Sequence, residues 1–332
     1  MRRLPGIAAL GLLAVMAVEP AAAYLKLGTR IGDRTLNLRW RDFPVRYFVT
    51  NLGDEGVTPS QFQTGVTRAF NTWHAVETAE TSSQFAGFTQ APPFDEDGMS
   101  VIGYLSRASQ SRTLAATTFL IDTVSGEIVE SDIFFNSAFD WSTAESGVPG
   151  RFDVESIALH EIGHLLGLSH SALGETELAA SSRRVIAAES VMFPIAFAAG
   201  NTSDRALKAD DIAGISDIYR TSAFSRASGS ISGRVTKNGA GVQGAHVTAF
   251  SLQTGKIVGG FTSREDGSFV IASLEPGPHV LRVEPLDDGD IDSFFDASTD
   301  VDLDFRATFH DRVVTVPRGG STNDVAIQVT PK

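Results

Sequence analysis

The chain has 332 residues, of which 42% are hydrophobic and 9% aromatic, with a formal net charge of -13. This length predicts about two domains, at roughly 150 residues per domain, and the composition excludes a broadly disordered chain. The acidic surface argues against nucleic acid and anionic membrane surfaces as partners, and the absence of cysteine excludes disulfides, thiolate metal ligands and thiol nucleophiles.

The first 23 residues have the pattern of an export signal. Arg2 and Arg3 form a positively charged start, residues 7–18 are apolar and uncharged, and residues 21–23 are alanines typical of a cleavage site. The apolar stretch is short for a membrane span, although an uncleaved anchor is the alternative. We therefore expect a mature chain that begins near Tyr24, has no membrane span, and is secreted to the periplasm or the extracellular space.

Residues 24–220 are predicted to form one domain that contains both helices and strands. Alternating residues after Pro44 indicate a strand over Val45–Thr50. Thr58, Pro59 and Gln61 predict the start of a helix, because they combine a capping box with proline at the first helical position. The other predicted elements are a loop over 85–100, strands over Val101–Leu105, Leu114–Ile121 and Ile128–Phe135, and helices over Asp153–Leu166 and Asp210–Tyr219.

The rest of the chain is predicted to be a linker over residues 221–230 followed by an all-β sandwich over residues 231–332. Short strands with frequent turns and no helical pattern are typical of that architecture. The seven predicted strands are Ile231–Val235, Ala245–Phe250, Ile257–Phe261, Ser268–Ile271, Val280–Val283, Val313–Val316 and Val325–Val329.

The segment His160–His170, with the sequence HEIGHLLGLSH, carries the chemistry. His160 and His164 lie on one face of the predicted helix because they are four residues apart. Gly167 allows the chain to turn at the helix end, so that His170 can return as a third ligand. Neutral imidazoles in this arrangement favour zinc.

Three protein ligands leave one coordination position open, which is typical of a catalytic zinc and not of a structural one. The ion would lower the pKa of its water from about 15.7 towards 7. Glu161 is then the predicted general base and the later proton donor to the leaving amine. The alternatives are a helix with unrelated histidines and a metal-binding relative that has lost its activity.

The same segment matches the metzincin zinc signature H-E-x-x-H-x-x-G-x-x-H in full, and Ser171 with Ser190–Pro194 resembles the matrixin branch. The resemblance covers roughly residues 38–220. It implies an α+β, metzincin-like catalytic domain with a twisted mixed sheet and three main helices, and a zinc endopeptidase acting on proteins or peptides. It further implies that Met192 lies in the Met-turn beneath the histidines and that substrate pairs with an edge strand near Ala115 and Ala116.

The chain also departs from animal matrixins. It has no histidine between His74 and His160, so the structural zinc site of those proteins is not expected. Without cysteine, latency through a propeptide thiol is excluded as well. A calcium site around Glu130, Asp132 and Asp140 stays open, because these carboxylates are few and scattered.

Residues 244–248 and 262–283 resemble the carboxypeptidase-regulatory-like β-sandwich, a module that acts as a spacer, a stabiliser or a binder of protein or carbohydrate. Eight aspartates and no basic residue lie between Asp287 and Asp304. They suggest either calcium binding or the solvent-exposed face of a strand that begins at Asp300. The alternation of Val301, Leu303 and Phe305 with these aspartates favours the strand.

Two functional hypotheses follow from these patterns. The first is a secreted zinc endopeptidase. The second is a secreted adhesion or envelope-binding protein whose peptidase domain is vestigial. Zinc binding together with hydrolysis of a generic protein distinguishes the first from the second.

Overall fold

The computed structural model describes residues 26–31, 34–107, 109–110, 112–178 and 183–332, so the predicted export signal lies outside the described residues. Within these ranges, no helix is long and apolar enough to cross a membrane. The helices are α1 (Pro59–His74), α2 (Val154–Leu165), α3 (Ala209–Ile218) and α4 (Ser222–Ala227).

The first half of the chain contains eleven strands among its described residues, and five of them form a mixed sheet. These strands are β1 (Gly28–Ile31), β2 (Arg34–Asn37), β3 (Val45–Thr50), β4 (Ser83–Thr89), β5 (Ser100–Leu105), β6 (Ala115–Ile121), β7 (Ile128–Asn136), β8 (Trp141–Ser142), β9 (Phe152–Asp153), β10 (Gly174–Leu178) and β11 (Arg183–Ala188). The order of the mixed sheet is β4-β3-β5-β7-β6, with β6 as an antiparallel edge strand and the other four strands parallel. The predicted α+β class with a mixed sheet is confirmed.

Helix α1 begins where the capping box predicts it. The Gln61 amide donates to the Thr58 hydroxyl at 3.3 Å, and the Thr58 amide donates back to the Gln61 side chain at 2.9 Å. The apolar side of the helix is buried, and the indole of Trp73, at its end, donates to the carbonyl of Leu159 in α2 at 2.9 Å. The contact ties the two helices together directly beside His160.

Several strands of this half were not predicted, among them the short strands β1, β2, β8 and β9. Residues 83–89, which overlap the predicted loop over 85–100, form β4 and pair with β3. Gly87 has a φ of +130°, and the pairing register shifts opposite Tyr47 and Phe48. This irregularity hides the strand alternation. The hairpin formed by β10 and β11 was not predicted at all.

The second half is a β-sandwich, as predicted, and each of the seven predicted strands has a counterpart. Its strands are β12 (Gly229–Lys237), β13 (Ala240–Gly241), β14 (His246–Ser251), β15 (Ile257–Phe261), β16 (Ser268–Leu274), β17 (Gly277–Glu284), β18 (Thr308–Phe309), β19 (Val314–Val316) and β20 (Ser321–Val329). In one sheet β12 pairs with β13, β16 and β20; the other sheet contains β14, β15, β17, β18 and β19.

Two expectations for this half are corrected. The stretch 221–230, predicted as a linker, contains α4 and the first residues of β12. The strand predicted from Asp300 is wrong, because residues 301–304 have no ladder partner. Their apolar side chains pack inward instead, with Val301 and Leu303 against a small cluster that includes Phe295.

The two halves share one hydrophobic core. A single cluster of buried side chains extends from Trp73 and Leu159 in the first half to Ile271 and Val283 in the sandwich. Helix α3 contacts both β15 and β16. The sandwich therefore packs directly against the domain that carries the histidines.

Candidate metal centre

The three predicted ligands converge at the end of α2. His160 and His164 lie one turn apart on the helix, and Gly167 ends it with a φ of +97°. The Gly167 amide donates to the carbonyl of His164 at 2.7 Å and the Leu168 amide to that of Gly163 at 3.0 Å, the pattern of a Schellman cap. The chain then turns back and brings His170 beside the helix.

The same ring nitrogen of each histidine faces the common point. The Nε2 atom of His164 lies 3.1 Å from that of His160 and 3.2 Å from that of His170. Each Nδ1 atom instead contacts a main-chain carbonyl: Val191 for His160 at 2.8 Å, Leu168 for His164 at 2.8 Å and Ser293 for His170 at 2.7 Å. A carbonyl can only accept, so each Nδ1 carries the proton and each Nε2 presents a lone pair.

This donor set fits zinc. Three imidazole nitrogens about 2.1 Å from a tetrahedral ion would lie about 3.4 Å from one another, close to the observed separations. Burial lowers the pKa of His160, His164 and His170, so the rings are neutral and able to ligate. Across the described ranges, this is the one group of three or more potential ligands that converges in this way.

Glu161 is buried next to the histidines and is held by the edge strand. The Thr117 hydroxyl, on β6, lies 2.6 Å from Oε2 of Glu161 and 3.1 Å from the main-chain carbonyl of the same residue. Burial raises the pKa of Glu161 to about 7, although the hydrogen bond from Thr117 lowers it. A carboxylate with such a pKa can both accept and release a proton near neutral pH.

Met192, which the resemblance places in the Met-turn, packs against α2 at Gly163, between the two helix histidines in the chain. Its side chain is buried, and a Cβ atom added to Gly163 would lie only 2.3 Å from its sulfur. The turn that carries it is fixed by Asp211, whose carboxylate accepts from the Ser190 hydroxyl at 2.6 Å and from the Val191 amide at 3.0 Å. Asp211 thereby also fixes the main-chain carbonyl of Val191, which is the hydrogen-bond partner of the His160 Nδ1 atom.

The predicted substrate strand lies at the edge of the sheet. Ala115 and Ala116 pair with Phe135 and Phe134 of β7 on one side, and among the described residues no strand pairs with their other side. Both alanines are half-buried. They lie two residues and one residue before Thr117, so this free edge leads directly to Glu161.

The three carboxylates considered for calcium do not form a cluster like that of the histidines. The carboxylates of Glu130 and Asp132 accept hydrogen bonds from main-chain amides of the loop before β5 and, at 2.7 Å, from the Val101 amide of β5 itself. Asp140 is exposed. Burial raises the pKa of Asp132 to about 7. Calcium binding stays a prediction.

Sequence reasoning missed two contributors to this site. Thr117 lies in a strand that was predicted. Its position directly after Ala116 on the edge strand was the signal that could have placed its hydroxyl near the histidines. Ser293 contributes a main-chain carbonyl, for which no side-chain pattern exists. The second of these comes from the sandwich and not from the peptidase-like half.

Two family models match the chain, one in each half. A model described as matrixin matches residues 39–220, more than half of the chain, and a carboxypeptidase regulatory-like domain matches residues 230–289. The chain is 29% identical over 123 residues to metalloendoproteinase 1 of Glycine max, covering 33% of this chain and 35% of that protein. It thus spans about a third of that relative's length. Among solved structures, the Bacillus anthracis TIE protein matches with a TM-score of 0.20 and 12% identity, over 32% of this chain and 17% of that chain.

Proposed function

The chain belongs to the matrixin family, and on this premise we propose that it is a zinc-dependent endopeptidase. The observation that carries the proposal is the convergence of three Nε2 lone pairs, from His160, His164 and His170. The residue after the first of them, Glu161, is a buried carboxylate. The metalloendoproteinase relative supports the same class of activity.

The three histidines would hold zinc, which when bound lowers the pKa of a water molecule and polarises the peptide carbonyl. The other functions fall to the chain's own side chains. The Glu161 carboxylate accepts the proton of the attacking water and then delivers it to the leaving amine. Thr117 fixes this carboxylate through Oε2, which leaves Oε1 for the proton. The edge of β6 at Ala115 and Ala116 binds the substrate backbone as an added antiparallel strand.

Purified full-length protein tests this function. We expect about one zinc ion per chain and chelator-sensitive cleavage of casein. Glu161→Gln should retain zinc and lose activity by roughly 10²–10⁴-fold, the usual contribution of a general base. Glu155→Gln, on the same helix but paired with Arg68, is the matched control and should cleave like the unchanged protein.

Two results would contradict the assignment. A Glu161→Gln variant within tenfold of the unchanged protein would remove Glu161 as the base. Zinc binding without any hydrolysis by the unchanged protein would instead favour the adhesion or envelope-binding alternative with a vestigial peptidase domain.

We further propose that the protein is exported and cleaved before Tyr24, on the pattern of residues 1–23. N-terminal sequencing of the protein recovered outside the cytoplasm tests this, and an intact Met1 in that fraction would refute cleavage. Binding of protein or carbohydrate by the sandwich, and binding of calcium, stay predictions that pull-down and calcium titration can address.

A further inference from the structure

The third histidine takes its hydrogen-bond partner from the other domain. Residues 286–295, named here the sandwich arm, follow β17 and reach across to the metal centre. The Ser293 carbonyl lies 2.7 Å from Nδ1 of His170, and the Phe294 ring lies 6.4 Å from the imidazole, edge to face. The hydrogen bond fixes which nitrogen of His170 carries the proton, and therefore which nitrogen can bind metal.

The end of the sandwich arm is anchored in its own small core. Phe294 is fully buried, and its ring and that of Phe295 lie 5.8 Å and 5.6 Å from the ring of Phe261 on β15. Ala172, two residues after His170, belongs to the same cluster. A buried aromatic side chain has little freedom to move, so this cluster holds the Ser293 carbonyl in place.

The start of the sandwich arm is held by the unpredicted hairpin β10–β11. The Thr176 amide donates to the Asp288 carboxylate at 2.8 Å, and the Thr176 hydroxyl donates to the Asp288 carbonyl at 2.9 Å. Arg183, on the other strand of the hairpin, donates to the carbonyl of Asp287 at 2.7 Å. The hairpin thus fixes one end of the arm while the aromatic cluster fixes the other.

A buried carboxylate connects the segment after His170 to the sandwich at a second place. Asp210, at the start of α3, accepts from the Ser171 hydroxyl at 2.6 Å and from the Gly259 amide of β15 at 2.8 Å. Ser171 directly follows His170. The residue after the third ligand and the sandwich strand that carries Phe261 are therefore attached to one side chain, independently of the arm.

We propose that the sandwich arm is a positioning element of the metal centre, in which Ser293 and Phe294 hold His170 in the orientation that binds zinc. This proposal rests on the proposed zinc site. It gives the C-terminal sandwich a role in metal affinity, beyond that of a spacer or an independent binding module. Loss of a hydrogen-bond partner behind a metal ligand typically weakens metal binding by 10–100-fold, and the effect on zinc affinity is therefore measurable without any substrate.

Gly289→Ala is the sharpest perturbation, because the added methyl group would lie 2.6 Å from the Phe294 ring and displace it. Asp288→Ala, at a half-exposed position, removes the carboxylate that accepts from the Thr176 amide and leaves the two bonds from the hairpin to main-chain carbonyls of the arm. It weakens the attachment without adding bulk, and it keeps the test valid if Gly289→Ala does not fold. Gly320→Ala is the matched control in the sandwich, since its methyl group would meet only the edge of Pro317 at 3.1 Å.

The dissociation constant for zinc, measured in the full chain by competition with a chromophoric chelator, is the primary readout. We expect about 10–100-fold weaker binding for Gly289→Ala, a smaller loss in the same direction for Asp288→Ala, and an unchanged value for Gly320→Ala. The absorption spectrum of the cobalt-substituted protein should change in the first two variants only, which a general loss of stability would not produce.

Folded Gly289→Ala and Asp288→Ala proteins that bind zinc like the unchanged chain, with the same cobalt spectrum, would overturn the positioning role and leave the proposed function standing. Failure of the unchanged protein to bind zinc would overturn both. The two failures are therefore distinguishable within one set of titrations.

Discussion

Replacement of Asp153 by alanine should destabilise the first half of the chain more than any other single change at the start of α2. The Asp153 side chain caps the helix, accepting from the amide and the hydroxyl of Ser156 at 2.9 Å and 2.7 Å. It also receives two hydrogen bonds from Arg205, including one from Nε at 2.8 Å. Both partners are mostly buried, with exposed side-chain fractions of 5% for Asp153 and 19% for Arg205.

The magnitude follows from these two roles. Loss of an N-cap costs about 1 kcal/mol, and removal of one partner from a buried ion pair costs about 3–5 kcal/mol because the other charge stays behind unpaired. Since Arg205 keeps some contact with solvent and a second carboxylate, that of Glu155 at 3.8 Å, we take the lower end of that range and expect Asp153→Ala to lose about 4 kcal/mol. Arg205→Ala should cost less, because the Asp153 carboxylate would still accept from Ser156.

Urea unfolding followed by tryptophan fluorescence measures the effect, since all three tryptophans lie in the first half of the chain. The double variant should lose about 2 kcal/mol less than the sum of the single losses, which is the coupling between contacting residues. Arg68→Ala is the control: it breaks the contact with Glu155 by removing the partner whose side chain is 43% exposed, and it should cost under about 1 kcal/mol. Additive losses at positions 153 and 205 would refute the reasoning.

Three further predictions concern the metal centre. Thr117→Val should lower kcat against casein by roughly 10- to 100-fold with little change in KM, because a hydrogen bond to a charged group contributes about 1.5–3 kcal/mol. Steady-state kinetics check this, and an unchanged kcat would contradict it. Gly163→Ala should lower stability in the urea assay by about 1–2 kcal/mol, since overpacking against Met192 outweighs the better helix propensity of alanine; a more stable variant would be the opposite result. Removal of metal with a chelator should lower the Tm, and zinc at 100 times its Kd should restore about 2.7 kcal/mol; a Tm insensitive to zinc in calorimetry would count against the site.

The convergence of the three histidines was predictable because its signal is local. The spacing of His160, His164 and His170 and the intervening Gly167 lie within one short segment, and its geometry follows from the helix and its cap. The capping box of α1 and the alternation of the sandwich strands are local signals of the same kind. Each of these predictions has a counterpart in the structure.

The parts that escaped prediction depend on contacts between distant segments. Strand β4 is irregular at Gly87, so its alternation is visible only once β3 lies beside it. The run from Val301 to Phe305 alternates like a strand, but it packs into the sandwich without a ladder. Apolar alternation reports which side chains are buried and not whether a neighbouring strand is present.

The hydrogen bonds to the Nδ1 atoms of the three histidines include both local contacts and contacts between distant segments. The partner of His164 lies 4 residues away along the chain, that of His160 lies 31 residues away, and that of His170 lies 123 residues away. Closing a longer loop costs more entropy, although the cost grows slowly with length. The orientation of the His164 ring therefore forms with the helix and its cap, and that of His160 needs the turn around Val191. The orientation of His170 needs the folded sandwich. On the proposed role of Ser293, the affinity for zinc reaches its full value only after the last of these contacts has formed.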